Sequence, residues 1–251
     1  MVLEHDSGMD APSVPLIKLA CLDLAGTTIG GVAMMERAFA EAIATQGIVP
    51  GTGAFARAMV HVHRSRGCPV IDVFRGIFPG NEAQAQAAHL TFERSYKGSL
   101  DRSGLSPMPG TIEAVDELRG AGIKIALVTG FSRSTLSHVL HALEWSDKID
   151  MAMSPEDAGR GRPWPDMILT ALLRLGIDDV RQVAVTGDSE NDMLAGTRAG
   201  ASIVAGVLTG AQSRERLLSG GATHLIASIT DFPPLALTGA PAPRHAATAS
   251  H

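Results

Sequence analysis

The run Ile17-Lys18-Leu19-Ala20-Cys21-Leu22 leads straight into Asp23-Leu24-Ala25-Gly26-Thr27-Thr28. The first six residues are apolar save Lys18, the pattern of a strand buried on both faces. The chain changes character at Asp23. An acid at a strand end, followed by glycine and two hydroxyl residues, marks a loop at the carboxyl edge of a parallel sheet. Open α/β sheets bind their ligands at that edge.

The same alternation recurs downstream. Strands are predicted at Ile123 to Val128, Gln182 to Thr186 and Ala201 to Val207. They follow helical patterns at Thr111–Arg119, Pro165–Leu175 and Asn191–Arg198 respectively. A shorter candidate strand is Ile149–Met153. Strands alternating with helices predict an α/β fold, a Rossmann-like parallel sheet covered on both faces. Residues 33–104 break this rhythm. Ala33–Thr45, Ala54–His63, Val70–Ile77 and Glu82–Lys97 read as helices, punctuated by Gly47, Pro50–Gly51, Gly67–Pro69 and Pro79–Gly80. The expected organisation is a core of residues 14–32 and 105–238, an inserted all-helical cap at 33–104, and polar tails at 1–13 and 239–251.

Composition narrows the class. Among 251 residues, 45% are hydrophobic and 19% charged, which excludes a disordered, highly charged chain. The 21 basic and 26 acidic residues give a net charge of −5, which argues against nucleic-acid or anionic-membrane partners. No apolar run approaches the ~20 residues needed to span a bilayer. Residues 1–15 carry Glu4, Asp6 and Asp10 and lack the basic start of a signal peptide, so a cytoplasmic address is expected. Cys21 and Cys68 read as two free thiols in a reducing compartment.

The residues after each strand carry the chemistry. They are Asp23 to Thr28, Thr129-Gly130-Phe131-Ser132-Arg133, Gly161-Arg162-Pro163 behind the short candidate strand, and Gly187-Asp188-Ser189-Glu190-Asn191-Asp192. Asp23 and Asp188, at neighbouring strand ends, suit a hard cation with oxygen ligands such as Mg²⁺. Asp192, four residues on, lies on the same helical face and could be a ligand or a support for one. Thr129 and Gly130 offer phosphate donors, and Arg162 a cationic fork. A carboxylate nucleophile, a cation and a positive side chain are what phosphoryl transfer through an aspartyl-phosphate needs.

Each residue also has a plainer reading. An Asp after a strand is commonly a turn or cap residue, and it is the company of the other groups that lifts Asp23 and Asp188 to catalysis. Ser132 reads as a helix cap, Arg160 as surface charge, Trp164 as packing, and His138 and His141 as structural residues.

The four groups, in this order and spacing, resemble the motifs of the haloacid dehalogenase superfamily, over about residues 16–235. The resemblance implies a Mg²⁺-dependent phosphohydrolase whose helical insert is a mobile cap. Asp23 would be the nucleophile, Thr129 and Arg162 would hold the phosphoryl group, and Asp23, the Ala25 carbonyl and Asp188 would hold the metal. Two residues past the nucleophile most such phosphatases have a second Asp, and most have a Lys in the third motif. Here these are Ala25 and Arg162, as in phosphonoacetaldehyde hydrolases and phosphonatase-like relatives. Those phosphonatases open the C–P bond through a cap lysine that forms a Schiff base. In this chain the equivalent turn, Gly67-Cys68-Pro69, is followed by Val70, and none of Lys18, Lys97, Lys124 and Lys148 fits the role.

The expected function is therefore hydrolysis of a small organophosphate or phosphonate, by an enzyme that acts alone or as a homodimer. The alternatives are C–P cleavage proper and a catalytically weakened phosphate-binding or regulatory protein. Ala25 also removes the usual acid/base, commonly worth roughly 10²–10⁴ in rate. The cap run His61-Val62-His63-Arg64-Ser65-Arg66 is the candidate replacement, with Arg64 and Arg66 as grips for an anionic substrate and a polar cap surface as the plainer reading of the histidines. The expected joints of the cap are Gly30–Gly31 and Leu105–Pro107.

Overall fold

A computed structural model describes residues 16–238; the expected tails at 1–13 and 239–251 lie outside the described residues. The strands are β1 (Leu19–Leu22), β2 (Lys124–Val128), β3 (Met151–Met153), β4 (Val183–Gly187), β5 (Ile203–Val207) and β6 (His224–Ile226). They form one sheet in the order β3-β2-β1-β4-β5-β6, and every pair is parallel. The side chains of β1 alternate as a two-faced strand requires. Leu19 and Cys21 enter one core, with Met167, Ile168 and Ala171. Ala20 and Leu22 enter the other, with Val115, Leu118 and Phe232.

The helices are α1 (Val32–Thr45), α2 (Gly53–Arg64), α3 (Val70–Ile77), α4 (Glu82–Ser103), α5 (Thr111–Gly120), α6 (Arg133–Leu143), α7 (Pro155–Ala158), α8 (Asp166–Arg174), α9 (Glu190–Ala199), α10 (Arg214–Ser219) and α11 (Phe232–Thr238). The first four follow β1 directly and contain no strand. An aromatic row holds this helical layer to the sheet. Phe39 and Phe92 lie 4.5 Å apart, Phe92 stacks on Tyr96 at 5.8 Å, and Tyr96 meets Phe131 beyond β2 at 5.0 Å. Each ring buried this way contributes roughly 1.5–3 kcal/mol.

The sequence reading leaves out the short helices α7, α10 and α11, and it departs from the structure in two further elements. The reading misses β6, whose three residues include His224 and give no apolar run. It also ends α4 at Lys97, six residues early. Gly98 follows Lys97, and a glycine inside a helix costs about 1 kcal/mol, the usual sign of an end. Here α4 runs through it because Leu100, like Tyr96, is buried.

The chain crosses between sheet and helical layer twice, at adjacent places. The Gly30 amide donates to the Ser106 carbonyl at 3.1 Å, and Ile29 bridges Pro107. Gly31 has φ +90°, a left-handed turn open to glycine, and it starts α1 against Leu105.

Candidate active site

Asp23 emerges where β1 ends, its amide still paired with the Thr186 carbonyl of β4 at 3.0 Å. The turn behind it is tied down by Thr28, whose hydroxyl donates to the Asp23 carbonyl at 2.8 Å, and by Thr111, which donates to the Thr28 carbonyl at 3.1 Å. Gly26 in that turn has φ +93°, and a Cβ there would stand 2.5 Å from Asp188 Oδ2. The position therefore demands glycine twice over, for backbone and for space.

Asp23, Arg162, Asp188 and Asp192 meet in the interior, none more than 6% exposed. Oxygens of the three acids lie within 4.8 Å of one another. Arg162 is the hub. Its Nη1 donates to Asp23 Oδ1 at 2.7 Å and also to Asp192 Oδ1, and its Nε donates to the Gly67 carbonyl at 2.7 Å. Burial raises the Asp23 carboxyl above the usual range, with the Arg162 charge opposing it. Burial, then repulsion from Asp23, lifts Asp188 from 3.8 to about 7, while Arg66 and Arg162 pull the other way.

The cluster fits a divalent cation. Asp188 Oδ2 is buried and has no hydrogen-bond partner, a costly state for a carboxylate oxygen. Crowded carboxylate oxygens are the donor set hard cations take. Asp192 is different in kind. Its Oδ2 accepts from the Ser189 amide at 3.0 Å in a capping box at the start of α9, and its Oδ1 holds Arg162. Both of its oxygens accept from protein donors, so it orients Arg162 and the loop, while its place in the cluster keeps it within reach of a shared cation.

A narrow cavity of about 50 Å³ opens over this cluster, room for a few water molecules. Asp23, Ala25, Thr129, Gly130, Arg162 and Asp188 form its floor. Thr129 is held there by its amide, which donates to the Met153 carbonyl at 3.1 Å, and its hydroxyl accepts from the Phe131 amide at 3.2 Å. The roof is the turn between α2 and α3. The Val70 amide donates to the Gly130 carbonyl at 3.0 Å, and Asn191 Nδ2 donates to the Arg66 carbonyl at 2.6 Å.

Of the two cap arginines expected at the site, the structure brings one to it. Arg66 is buried and lines the cavity; Arg64, at the end of α2, is exposed and lies outside the lining. The chain bends after α2, so neighbours two apart point to different places. His61 and His63 also stay outside the lining. His61 contacts Ser65 at 3.3 Å, and exposed His63 lies 3.5 Å from Glu36. Glu36 lines the cavity and bonds Arg66, yet sequence reasoning misses it, since a lone acid on an amphipathic helix reads as surface charge. Val70 is buried in the cavity wall, and no lysine is among the lining residues. Lys97 instead donates to Ser134 at 2.7 Å.

The surrounding residues take their plainer roles. Ser132 caps α6. Trp164 lies between Arg160 and Arg198, at 4.5 and 5.1 Å, and Arg160 pairs with Asp166 at 2.7 Å. His138 contacts Asp101 at 2.8 Å, and both cysteines are free. Among the described residues no helix is long and apolar enough to cross a membrane.

A phosphonoacetaldehyde hydrolase of Parabacteroides distasonis is 27% identical over 190 residues, covering 65% of this chain and 71% of that protein. One of Bacteroides fragilis is 30% identical over 171 residues, covering 59% of this chain and 64% of that protein, a little under two thirds of its length. The solved structure of a phosphonoacetaldehyde hydrolase-like protein from Oleispira antarctica superposes with a TM-score of 0.75 at 22% identity, over 96% of this chain and 100% of that one, a likeness of fold. Residues 17–200 match the haloacid dehalogenase-like hydrolase family, a span that takes in Asp23, Thr129, Arg162 and Asp188. The chain belongs to the haloacid dehalogenase-like hydrolases and is a hydrolytic enzyme.

Proposed function

We propose that this enzyme hydrolyses small organophosphates with the help of a divalent cation, Mg²⁺ by chemistry and by family, through a phosphorylated Asp23. The observation that carries the reading is the buried Arg162–Asp23 contact at 2.7 Å, beside an Asp188 oxygen that no protein group satisfies. Asp23 is the nucleophile. Arg162 fixes its carboxylate, and Asp192 and the Gly67 carbonyl fix Arg162 in turn. An incoming phosphoryl group takes over donors from Arg162, with the Thr129 hydroxyl and Gly130 beside it. Asp23, the Ala25 carbonyl and Asp188 are the residues that would hold the cation, which when bound neutralises phosphoryl charge and brings both acids to the ionised form.

Attack of Asp23 on phosphorus expels the alcohol. Water then opens the acyl phosphate and restores the carboxylate. Ala25 supplies no proton to the leaving oxygen, so esters of acidic alcohols should turn over faster than alkyl esters. The relatives named phosphonoacetaldehyde hydrolase favour a second reading, C–P cleavage. Against it stand Val70 at the cap turn and a cavity lining without lysine, which leave no imine to accept the electron pair of the C–P bond.

The test is phosphate release from small esters by wild type and Asp23→Asn. The variant should lose about 10³-fold or more in kcat with an unchanged melting curve, as removal of a nucleophile does. Turnover within tenfold of wild type would exclude the covalent route. Turnover by neither protein would leave the third reading, a phosphate-binding protein.

A further inference from the structure

Arg66 is a cation that the hydrolytic mechanism does not use. Its side chain is 6% exposed, and it bonds one partner, Glu36 Oε1, at 2.5 Å. A guanidinium has five N–H donors. No other side-chain bond of Arg66 to a described residue exists, and none of its nitrogens is among the buried atoms left without a partner. The remaining donors therefore stay available to a ligand in the cavity. Its backbone is pinned by Asn191, so the side chain is aimed from a fixed base. It also lies close enough to Asp188 to counter that carboxyl's upward shift.

The rest of the cap wall is mostly apolar, with Met35, Phe39, Val62, Val70 and Val73 beside Cys68 and a single hydroxyl, that of Ser65. Such a wall leaves sugar hydroxyls unpaired, which is costly. It accepts a short carbon chain with one polar end. Arg162 is already committed to Asp23, Asp192 and Gly67, at the phosphoryl end.

We propose that Arg66 is the specificity residue of this site and binds a carboxylate of the substrate two or three atoms from phosphorus, so that the substrates are phosphate monoesters of short hydroxy acids. The inference rests on the phosphohydrolase reading and names its substrate class. Glu36 is the built-in competitor. Its side chain is 35% exposed, so it can turn to water when a substrate carboxylate takes its place, and Arg66 keeps an anionic partner throughout. The narrow cavity favours a short organic part.

The test compares phosphoglycolate with 2-hydroxyethyl phosphate, which has the same length and no second charge. Wild type should favour phosphoglycolate by about 10- to 100-fold in kcat/KM, the size of one charge-assisted bond. In Arg66→Gln the ratio between the two substrates should fall to about one, chiefly through KM, and Arg66→Lys should restore part of it. Glu36→Gln should lower KM for phosphoglycolate several-fold, a gain that damaged folding does not produce. A wild-type ratio near one, or a ratio unmoved by Arg66→Gln, overturns the inference while 2-hydroxyethyl phosphate turnover keeps the hydrolase reading standing. If neither ester is hydrolysed, the claim about substrates falls with that reading, and calorimetric binding decides only whether Arg66 reads a carboxylate. Phosphoglycolate bound more tightly than inorganic phosphate, with the excess lost in Arg66→Gln, supports it; equal affinities overturn it.

Discussion

Gly130→Ala tests whether the α2–α3 turn must seat on the floor of the site. Gly130 has no left-handed backbone strain to relieve, so the substitution adds only a methyl group. That methyl would stand 2.2 Å from the Cys68 carbonyl oxygen and 3.0 Å from its carbon. Both are backbone atoms and cannot rotate away. Ordinary contact begins at 3.4 Å, so the turn must retreat by about 1.2 Å. The retreat breaks the Val70–Gly130 bond at 3.0 Å and pulls the Gly67 carbonyl off Arg162.

Misplacement of about 1 Å can cost about 10²-fold, so kcat/KM should fall by roughly that factor. The fold should hold, because the clash lies between two layers. Labelling of Cys68 by a thiol reagent offers a readout that needs no substrate. Burial pushes its thiol up to about 11 and that of Cys21 to about 12, so both label slowly in the native protein. Displacing the turn should speed Cys68 labelling alone. Gly120→Ala, with nothing within 4 Å, is the control. Labelling and kcat/KM both within twofold of wild type would refute the claim that this contact holds the turn in place.

Asp188 sets a pH dependence in the cation-free protein. Its carboxyl titrates near 7 when folded against 3.8 for an unperturbed aspartate, so the native state keeps a proton that the unfolded chain has released. Its contribution to stability is therefore full below about pH 4 and is lost as pH rises through 7. Cation binding displaces the proton, so the rise in Tm on adding Mg²⁺ should grow between pH 5 and 8; a flat response would contradict the assignment. Asp188→Asn should abolish that rise and, at pH 8 without metal, melt about 2–4 °C above wild type. Borohydride with phosphonoacetaldehyde should leave no adduct, and a reduced adduct on Lys97 by mass spectrometry would restore C–P cleavage.

The sheet and the floor of the site were legible because their signals are local. Asp23, Thr129 and Asp188 each follow an apolar run, Arg162 follows the short strand β3 at a distance with α7 between, and Ser189-x-x-Asp192 is itself a capping-box pattern. The cap wall was not legible in the same way. Arg64 and Arg66 differ by where the chain turns after α2, which is set by packing on Asn191 and Gly130. Glu36 looks like any helix-surface acid until α1 is placed beside the α2–α3 turn. Asp192 shows the opposite limit: spacing put it with the cluster, but only the structure reveals that Ser189 and Arg162 take up its oxygens.

The paired crossings at Gly30 and Ser106 make the helical layer a cassette. Every strand of the sheet lies outside residues 32–103, and the chain leaves and re-enters the sheet layer at neighbouring backbone positions joined by a hydrogen bond. The register of β1 against β2 and β4 is therefore set without any strand residue from the insert. The catalytic acids stand on the sheet and Arg66 and Glu36 stand in the cassette, and the contact of the Gly67 carbonyl with Arg162 is the one that a replacement insert has to reproduce.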